Sequence, residues 1–158
     1  GRLLQLARLD NPSAFDEPTV LNIVEAAGEA AIRNERVVLS VAGKARSLML
    51  NTDHFESLVG NCLDNALTYG EGQVDLKLHF EPKGVRIEVS DEGPGIPENH
   101  LKRVCEPFFT TSRNEGGTGL GLSIVKAIVT GLSGTLEITS SHAGTTVMMH
   151  LPYDSRPT

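Results

Sequence analysis

One stretch of the sequence combines glycines and a helical pattern in a way that could hold a phosphate. GGTGLGLSIVK (116–126) places Gly117, Gly119 and Gly121 ahead of an apolar helical pattern. Glycine lets a backbone approach a ligand closely, and the N–H groups at a helix start attract an anion. The run is not a Walker P-loop, because its lysine lies inside the helix. It is not a dinucleotide fingerprint either, because it lacks the glycine at the sixth position of GxGxxG. A hinge before a helix is the other interpretation.

Two further stretches carry residues that could complete such a site. NCLDNALTYG places Asn61 and Asn65 at i and i+4, on one face of a helix. The amide oxygen of either asparagine could ligate Mg²⁺ beside phosphate oxygens. DEGPGIP follows a strand pattern and offers Asp91 ahead of Gly93 and Gly95. This carboxylate could accept a hydrogen bond from a flat heteroaromatic amine. In isolation, the pair of asparagines could belong to a solvated polar face, and DEGPGIP could be an ordinary turn.

Composition limits the kind of protein that carries these stretches. An apolar share of 39% and a charged share of 22% are typical of a soluble globular chain, and 158 residues fit one domain. The net charge of -6 argues against a broad nucleic-acid-binding face. No apolar run reaches the roughly 18 residues of a membrane span, and no signal peptide is visible. Cys62 and Cys105 are predicted to be reduced thiols, and we expect a cytoplasmic location.

Helix-period patterns alternate with pairs of strand-period patterns along the chain. The predicted helices begin at the capping residues Asp16 and Asp53 and at about Leu120. The predicted strand pairs are RVVLSVAG with ARSLML, residues 73–80 with 85–89, and TLEITS with TTVMMHL. Adjacent antiparallel pairs favour the α+β class, with one mixed or antiparallel sheet and helices packed on one face.

Four stretches in this order resemble the motifs of a known family. NCLDNA, DEGPGIP, EPFFTT and GGTGLGLSIVK are similar to the N, G1, F and G2 boxes of sensor histidine kinases. The resemblance covers about residues 17–152 and includes the closing GTTVMMHLP. It implies the catalytic ATP-binding domain of a two-component kinase, with the two-layer α/β sandwich of the Bergerat (GHKL-type) fold. ATP and Mg²⁺ are the implied cofactors.

The resemblance also implies domain boundaries. LLQLARLDN has a helix-period leucine stripe without a capping residue, and it resembles the end of the family's dimerisation and phosphotransfer hairpin. We therefore expect residues 1–16 to be the end of that helix plus a linker. Residues 17–155 are expected to be the catalytic domain, and 156–158 a frayed tail.

Site residues carry over position by position from the family's boxes. Asn65 matches the Mg²⁺-ligating asparagine and Asn61 its helper one turn earlier, and both are the implied catalytic residues. Asp91 matches the carboxylate that reads the adenine amino group. The remaining positions expected to contact ATP are Tyr69, Gly93, Gly95, Ile96, Phe108, Arg113, Gly117, Thr118, Gly119, Leu120, Gly121, Leu122 and Thr146.

Several of these positions have an implied role. Tyr69 matches an aromatic residue near the nucleotide, Gly95 and Ile96 line the base, and Thr146 supplies a hydroxyl near adenine. Residues 117–122 match the hinge of the lid and the helix start that faces the phosphates. Arg113 is the candidate cation for the phosphates, because no other basic residue lies between Arg103 and Lys126.

Two positions depart from the family pattern. Thr68 stands where the family often has a lysine, which removes one possible phosphate cation. Cys105 stands where the first phenylalanine of the F box is expected, although cysteine still packs as a small hydrophobe. These two departures weaken the expectation that the lid closes over ATP more than the expectation that ATP binds.

The residue at position 61 distinguishes ATP hydrolysis from phosphoryl transfer to another molecule. ATPases and serine kinases of the same fold carry a glutamate there, which can act as a general base. The neutral amide of Asn61 cannot take a proton, so water is poorly activated. This favours a protein-histidine kinase that transfers the γ-phosphoryl group to another molecule. A nucleotide-binding regulatory module without effective kinase activity is the alternative.

The acceptor histidine is not recognisable in this chain. None of His54, His79, His100, His142 and His150 lies in the family's acceptor pattern. We expect the acceptor upstream of residue 1, on the missing dimerisation and histidine phosphotransfer domain, with relay to a response regulator. The fragment is expected to be monomeric, the parent protein homodimeric, and nucleic acid not a partner. Whether the parent is anchored in the inner membrane stays open.

Overall fold

Helices and strands alternate in the computed structural model, which describes residues 19–93, 121–141 and 143–153. Within those residues the chain runs β1 (Thr19–Leu21), α1 (Ile23–Ala31), β2 (Val37–Ala42), β3 (Leu48–Leu50), α2 (Thr52–Tyr69), β4 (Val74–Phe80), β5 (Gly84–Ser90), α3 (Gly121–Gly131), β6 (Thr135–Ser141) and β7 (Gly144–Pro152).

The main sheet is mixed and has the strand order β2-β4-β5-β7-β6. The pairs β4–β5, β5–β7 and β7–β6 are antiparallel. The pair β2–β4 is parallel, with Val37 opposite Val74. A parallel pair needs a crossover connection, and this connection contains α2. Strands β1 and β3 form a separate antiparallel pair.

One face of the main sheet is covered by the helices. Alternate residues of β4 and β5 are buried, as their period-two sequence pattern requires. Their apolar side chains share one core with Phe55 and Leu58 of α2 and with Ile124 of α3. The intervening positions carry residues such as Lys77 and Glu88, which are only half-buried. The predicted α+β architecture, a mixed sheet with helices on one face, is therefore confirmed.

The first predicted strand pair is wrong. Strands β2 and β3 do not pair with each other, because β2 joins the main sheet and β3 joins β1. The difference follows from burial. Both leucines of β3, Leu48 and Leu50, are buried, whereas only Val37 of β2 is. The exposed residues 43–47 carry the chain from one sheet to the other.

Two helix starts also differ from the prediction. Helix α1 is capped by Asn22, whose Oδ1 accepts a hydrogen bond from Glu25 N at 3.2 Å. Helix α2 is capped by Asn51, which accepts from His54 N at 3.1 Å, and Asp53 lies in its first turn. Asparagine is among the best N-caps, and an acidic residue inside the first turn favours the helix dipole. Asp16 lies outside the described residues.

Candidate functional site

Helix α2 brings two asparagine side chains against the start of α3. A methyl group placed on Gly121 would lie 3.6 Å from Asn61 Oδ1 and 3.5 Å from Asn65 Nδ2. The two amides lie one helical turn apart, so both face the same point. The absence of a side chain at Gly121 leaves a small cradle that is bounded by amide groups.

Asn61 is held rigidly in this arrangement. Its side chain is 4% exposed, and its Nδ2 donates a 2.7 Å hydrogen bond to the carbonyl of Ser57, one turn earlier. That bond engages Nδ2 and leaves Oδ1 as the polar atom of Asn61 that faces Gly121. An amide oxygen can accept a hydrogen bond or ligate a cation, but the group does not ionise near neutral pH.

Asn65 and Thr68 follow on the same helix at increasing exposure. Asn65 is half-buried, which suits a side chain that meets both protein and ligand. Thr68, the position of the departure from the family pattern, is exposed. The described part of α2 therefore offers amides rather than cations near the cradle.

Asp91 follows β5 and is fixed by backbone groups. Its Oδ1 accepts hydrogen bonds from Gly93 N at 2.9 Å and from Thr145 N at 3.3 Å. Its own N–H donates to the carbonyl of Thr145 at 3.0 Å. The carboxylate is thus held between the end of β5 and β7, and these two hydrogen bonds end on the same oxygen.

Glycines let two other segments pack directly on Asp91. A Cβ on Gly70, just after α2, would lie 2.5 Å from Asp91 Cβ. A Cβ on Gly144, whose φ is 141°, would lie 1.9 Å from the carbonyl oxygen of Asp91. Neither place can hold a side chain, so the end of α2 and the β6–β7 turn enclose this aspartate. Sequence reasoning missed Gly70, although a glycine after a helix is a common ending signal.

Thr146 lies on β7 directly after Thr145, whose backbone is bonded to Asp91. It faces Ser90 across the sheet, and their hydroxyl oxygens are 3.0 Å apart. Gly93 is buried next to Asp91, and Leu122 is half-buried in the first turn of α3. The structure thus collects the described site residues in two groups, the amides at Gly121 and the polar groups around Asp91.

Other predicted site residues lie outside the described part of the chain. They include the side chain of Tyr69 and the whole of Gly95, Ile96, Phe108, Arg113, Gly117, Thr118, Gly119 and Leu120, and also Cys105. Cys62 is buried in α2 without a disulfide. Among the described residues, no group of three or more His, Cys, Asp or Glu side chains could hold a metal ion.

Two of the described histidines lie near glutamate side chains. His79 Nε2 lies 3.8 Å from Glu88 Oε2, and His150 Nε2 lies 3.8 Å from Glu81 Oε1. His54 lies in the first turn of α2, and the other two histidines are outside the described ranges. In those same ranges, none of the helices has both the length and the apolar character that crossing a membrane requires.

Comparison with known sequences identifies similar proteins. The sequence model of a family described as "Histidine kinase-, DNA gyrase B-, and HSP90-like ATPase" matches residues 50–155. A probable sensor histidine kinase HK of Mycobacterium tuberculosis is 30% identical over 148 residues, which are 90% of this chain and 39% of that protein. Sensor protein RstB of Escherichia coli is 31% identical over 152 residues, or 90% and 35% of the two chains. The chain therefore spans less than half the length of these relatives.

Solved structures show the same fold. The mycobacterial sensor histidine kinase MprB superposes with a TM-score of 0.68 at 25% identity, over 91% of this chain and all of that chain. Full-length ShkA in complex with AMPPNP gives a TM-score of 0.80 at 22% identity, over 99% of this chain and 35% of that one. The catalytic domain of histidine kinase ThkA gives 0.70 at 23% identity, over 88% and 97%. The resemblance inferred from the four sequence boxes is confirmed.

Proposed function

This chain belongs to the family of histidine kinase-, DNA gyrase B- and HSP90-like ATPases, and we propose its function from that membership and from the geometry of the site. It is the ATP-binding catalytic domain of a sensor histidine kinase. It binds ATP with Mg²⁺ and transfers the γ-phosphoryl group to a histidine on a separate helical domain, from which a response regulator receives it.

The convergence of two amides on Gly121 is the observation that carries this proposal. Mg²⁺ prefers oxygen ligands and usually combines a few protein oxygens with phosphate and water. The oxygens of Asn61 and Asn65 fit that preference, and the cradle at Gly121 leaves room for a phosphate oxygen. Asn65 is the proposed Mg²⁺ ligand, and Asn61 is its helper. The ion would neutralise charge on the phosphates.

The group around Asp91 would bind the base. Asp91 holds its carboxylate with Oδ1 already engaged by two backbone N–H groups. Its other oxygen can accept a hydrogen bond from the amino group of adenine. Thr146, whose hydroxyl oxygen lies 3.0 Å from that of Ser90, is the proposed hydroxyl near the base. The remaining residues proposed to contact ATP are Tyr69, Gly93, Gly95, Ile96, Phe108, Arg113, Gly117, Thr118, Gly119, Leu120 and Leu122.

The buried amide of Asn61 favours transfer over hydrolysis. A hydrolase of this kind needs a base to activate water, and Asn61 offers only an amide whose nitrogen is bonded to Ser57. Phosphoryl transfer depends mainly on positioning and on neutralising charge at the phosphates. The chain's own residues can therefore bind and orient the triphosphate while the nucleophile comes from elsewhere.

The nucleophile we propose is a histidine outside these 158 residues. The relatives named a probable sensor histidine kinase and a sensor protein are more than twice as long as the matched segment. Of the described histidines, His79 and His150 lie on strands beside glutamates, and His54 lies in the first turn of α2. Residues 17–155 are the proposed catalytic domain, and the parent protein is proposed to act as a homodimer.

The test combines binding with transfer. Calorimetry on the wild-type chain should show ATP binding that weakens when EDTA removes Mg²⁺. Asn65→Ala should lose most of the Mg²⁺-dependent part, about tenfold or more in Kd, since it removes a proposed metal ligand. Asn22→Ala, which changes an asparagine far from the site, is the control. ATP binding by Asn65→Ala with unchanged Mg²⁺ dependence would contradict the assignment.

Transfer is tested with the helical phosphotransfer domain of the full-length protein. Mixing it with this chain and labelled ATP should give a phosphohistidine that survives base and is lost in acid. Binding of ATP without any label on the folded acceptor would instead favour a nucleotide-binding regulatory module. The exposed Thr68, where the family often has a lysine, is the observation that favours this second candidate.

A further inference from the structure

Arg36 lies far from the proposed nucleotide site in sequence, yet its side chain reaches the end of α2. It stands in the connection between α1 and β2. Its Nε donates to the carbonyl of Gly72 at 2.9 Å, Nη1 to that of Leu67 at 3.1 Å, and Nη2 to that of Gly70 at 3.3 Å. The three nitrogens of one guanidinium thus hold the last turn of α2 and the segment that leads from it to β4.

The chemistry of this contact suits arginine in particular. The last carbonyls of a helix lack partners within the helix and carry partial negative charge. Helix α2 has no basic residue in its own last turn, so Arg36 supplies the cation from another element. A guanidinium presents several donors in a rigid plane, whereas a lysine offers a single charged point.

The backbone of Arg36 is itself anchored. Its N–H donates to Asn34 Oδ1 at 2.9 Å, and its carbonyl accepts from Val74 N at 2.8 Å. The second bond ties it to the first residue of β4. The guanidinium therefore projects from a fixed point at the edge of the main sheet.

The turn that Arg36 holds packs directly against Asp91 and Glu92. The Cα of Gly70 packs on Asp91 so closely that a Cβ there would lie 2.6 Å from Asp91 Cγ. A Cβ on Gly72 would lie 2.5 Å from Oε2 of Glu92. Two of the three carbonyls that Arg36 bonds thus belong to the residues in contact with this acidic pair. A shift of the turn would move the carboxylate.

We propose that Arg36 is a positioning residue that sets the place of the Asp91 carboxylate and, through it, the preference of the site for a purine with a 6-amino group. The inference rests on the proposed function, in which Asp91 reads adenine. Arg36 itself does not touch the nucleotide. It acts through the Gly70–Gly72 turn.

The test measures selectivity rather than affinity alone. Kd values for MgATP and for MgITP, whose base has an oxygen in place of the 6-amino group, are measured on wild type, Arg36→Met and Arg36→Lys. Arg36→Met should weaken MgATP about tenfold, the size expected when a hydrogen bond to a charged group is lost. MgITP should change much less, so the selectivity for ATP falls. Arg33→Met, an exposed arginine of the same connection, is the matched control and should leave both values unchanged.

The ratio of the two Kd values separates positioning from stability. A partly unfolded variant loses apparent affinity for both nucleotides by the same factor, so the ratio would stay constant. Equal losses for MgATP and MgITP in Arg36→Met would therefore overturn the proposal. Arg36→Lys keeps the charge, and we expect it to fold and to show an intermediate loss of selectivity. An Arg36→Lys ratio equal to wild type would also contradict the role of the planar fork.

A second readout needs no ligand. The amide N–H groups of Gly93 and Thr145 donate to Asp91 Oδ1, so their NMR shifts report the place of the carboxylate. Both should move in Arg36→Lys and stay in Arg33→Met. Unmoved signals in Arg36→Lys would overturn the proposal.

Asp91→Asn distinguishes this inference from the proposed function. A wild-type chain that binds neither nucleotide would refute the proposed function and the inference with it. Selectivity retained in Asp91→Asn would refute the role of Asp91 in reading the base, and again the inference. Selectivity lost in Asp91→Asn but kept in both Arg36 variants would refute the inference alone.

Discussion

At the scale of the residue, the place of Asn61 limits the chemistry of the site. Its amide is buried, and its nitrogen is bonded to the Ser57 carbonyl, so the oxygen faces Gly121. A group in this place can hold a ligand but cannot take up a proton. Under the proposed function, the nucleophile therefore comes from a partner molecule. The chain contributes an oriented binding site.

Gly121→Ala should separate binding from stability. The added methyl would make ordinary contacts of 3.5–3.6 Å with the two asparagine amides, and Gly121 is not among the glycines with positive φ. The free energy of unfolding should stay the same or rise by up to about 1 kcal/mol, because alanine favours helices. MgATP affinity should fall about tenfold or more, since the methyl fills the cradle proposed for phosphate.

Gly28→Ala is the control for this experiment. Gly28 lies in α1 with nothing within 4 Å of an added Cβ, so stability should rise while affinity stays constant. Urea unfolding and calorimetry measure the two quantities. Wild-type affinity in Gly121→Ala would show that the cradle is not used.

At the scale of the element, α2 organises both halves of the proposed site. It begins after Asn51, carries the two amides in its middle, and ends where Gly70 meets Asp91. It is also part of the crossover between the parallel strands β2 and β4. One helix therefore fixes the distance between the proposed phosphate end and the proposed base end.

Asn51→Ala tests whether α2 can lose its cap without losing the site. The Asn51 side chain accepts a hydrogen bond from His54 N, and removing an N-cap costs about 1 kcal/mol of stability. The cap lies about 15 Å along the helix from Asn61, so MgATP affinity of the folded protein should hardly change. Urea unfolding and calorimetry again measure both effects.

Asn22→Ala removes the equivalent cap of α1, which accepts from Glu25 N, and should cost a similar amount. If Asn51→Ala lost affinity strongly while Asn22→Ala did not, α2 would be a less rigid support than the structure indicates.

At the scale of the whole molecule, the sequence predicted two pairings of strands that follow each other directly along the chain. Strands β4 and β5 alternate clearly and are separated by a short turn, as are β6 and β7. The pairings of β1 with β3 and of β2 with β4 join segments about 30 residues apart or more. Nothing local marks such pairs, because they depend on which strand finds a buried place.

In the candidate site, too, the local features were predictable from the sequence and the long-range contacts were not. The i, i+4 spacing of Asn61 and Asn65 places both on one helix face from sequence alone, and the structure adds their meeting with Gly121. Arg36 was not predicted. Its acceptors are backbone carbonyls, which every sequence carries, so no pattern of side chains points to it.

Ile87→Ala tests the shared core. Ile87 lies in the central strand β5 and is fully buried, so its truncation should leave a cavity and cost about 2–5 kcal/mol. Val38→Ala on β2 is the control, since Val38 is 41% exposed and should change stability by less than about 0.5 kcal/mol. Equal losses in urea unfolding would contradict the assignment of the core.

The residues around the proposed site come from α2, the end of β5, the start of α3 and β7. A ligand that touches all four can bind only after these distant segments have assembled, so the unfolded chain has no affinity for it. By mass action, a ligand at a hundred times its Kd adds about 2.7 kcal/mol to the free energy of unfolding. Occupancy would then protect the whole domain from heat and proteases, and the empty domain would be the one that opens.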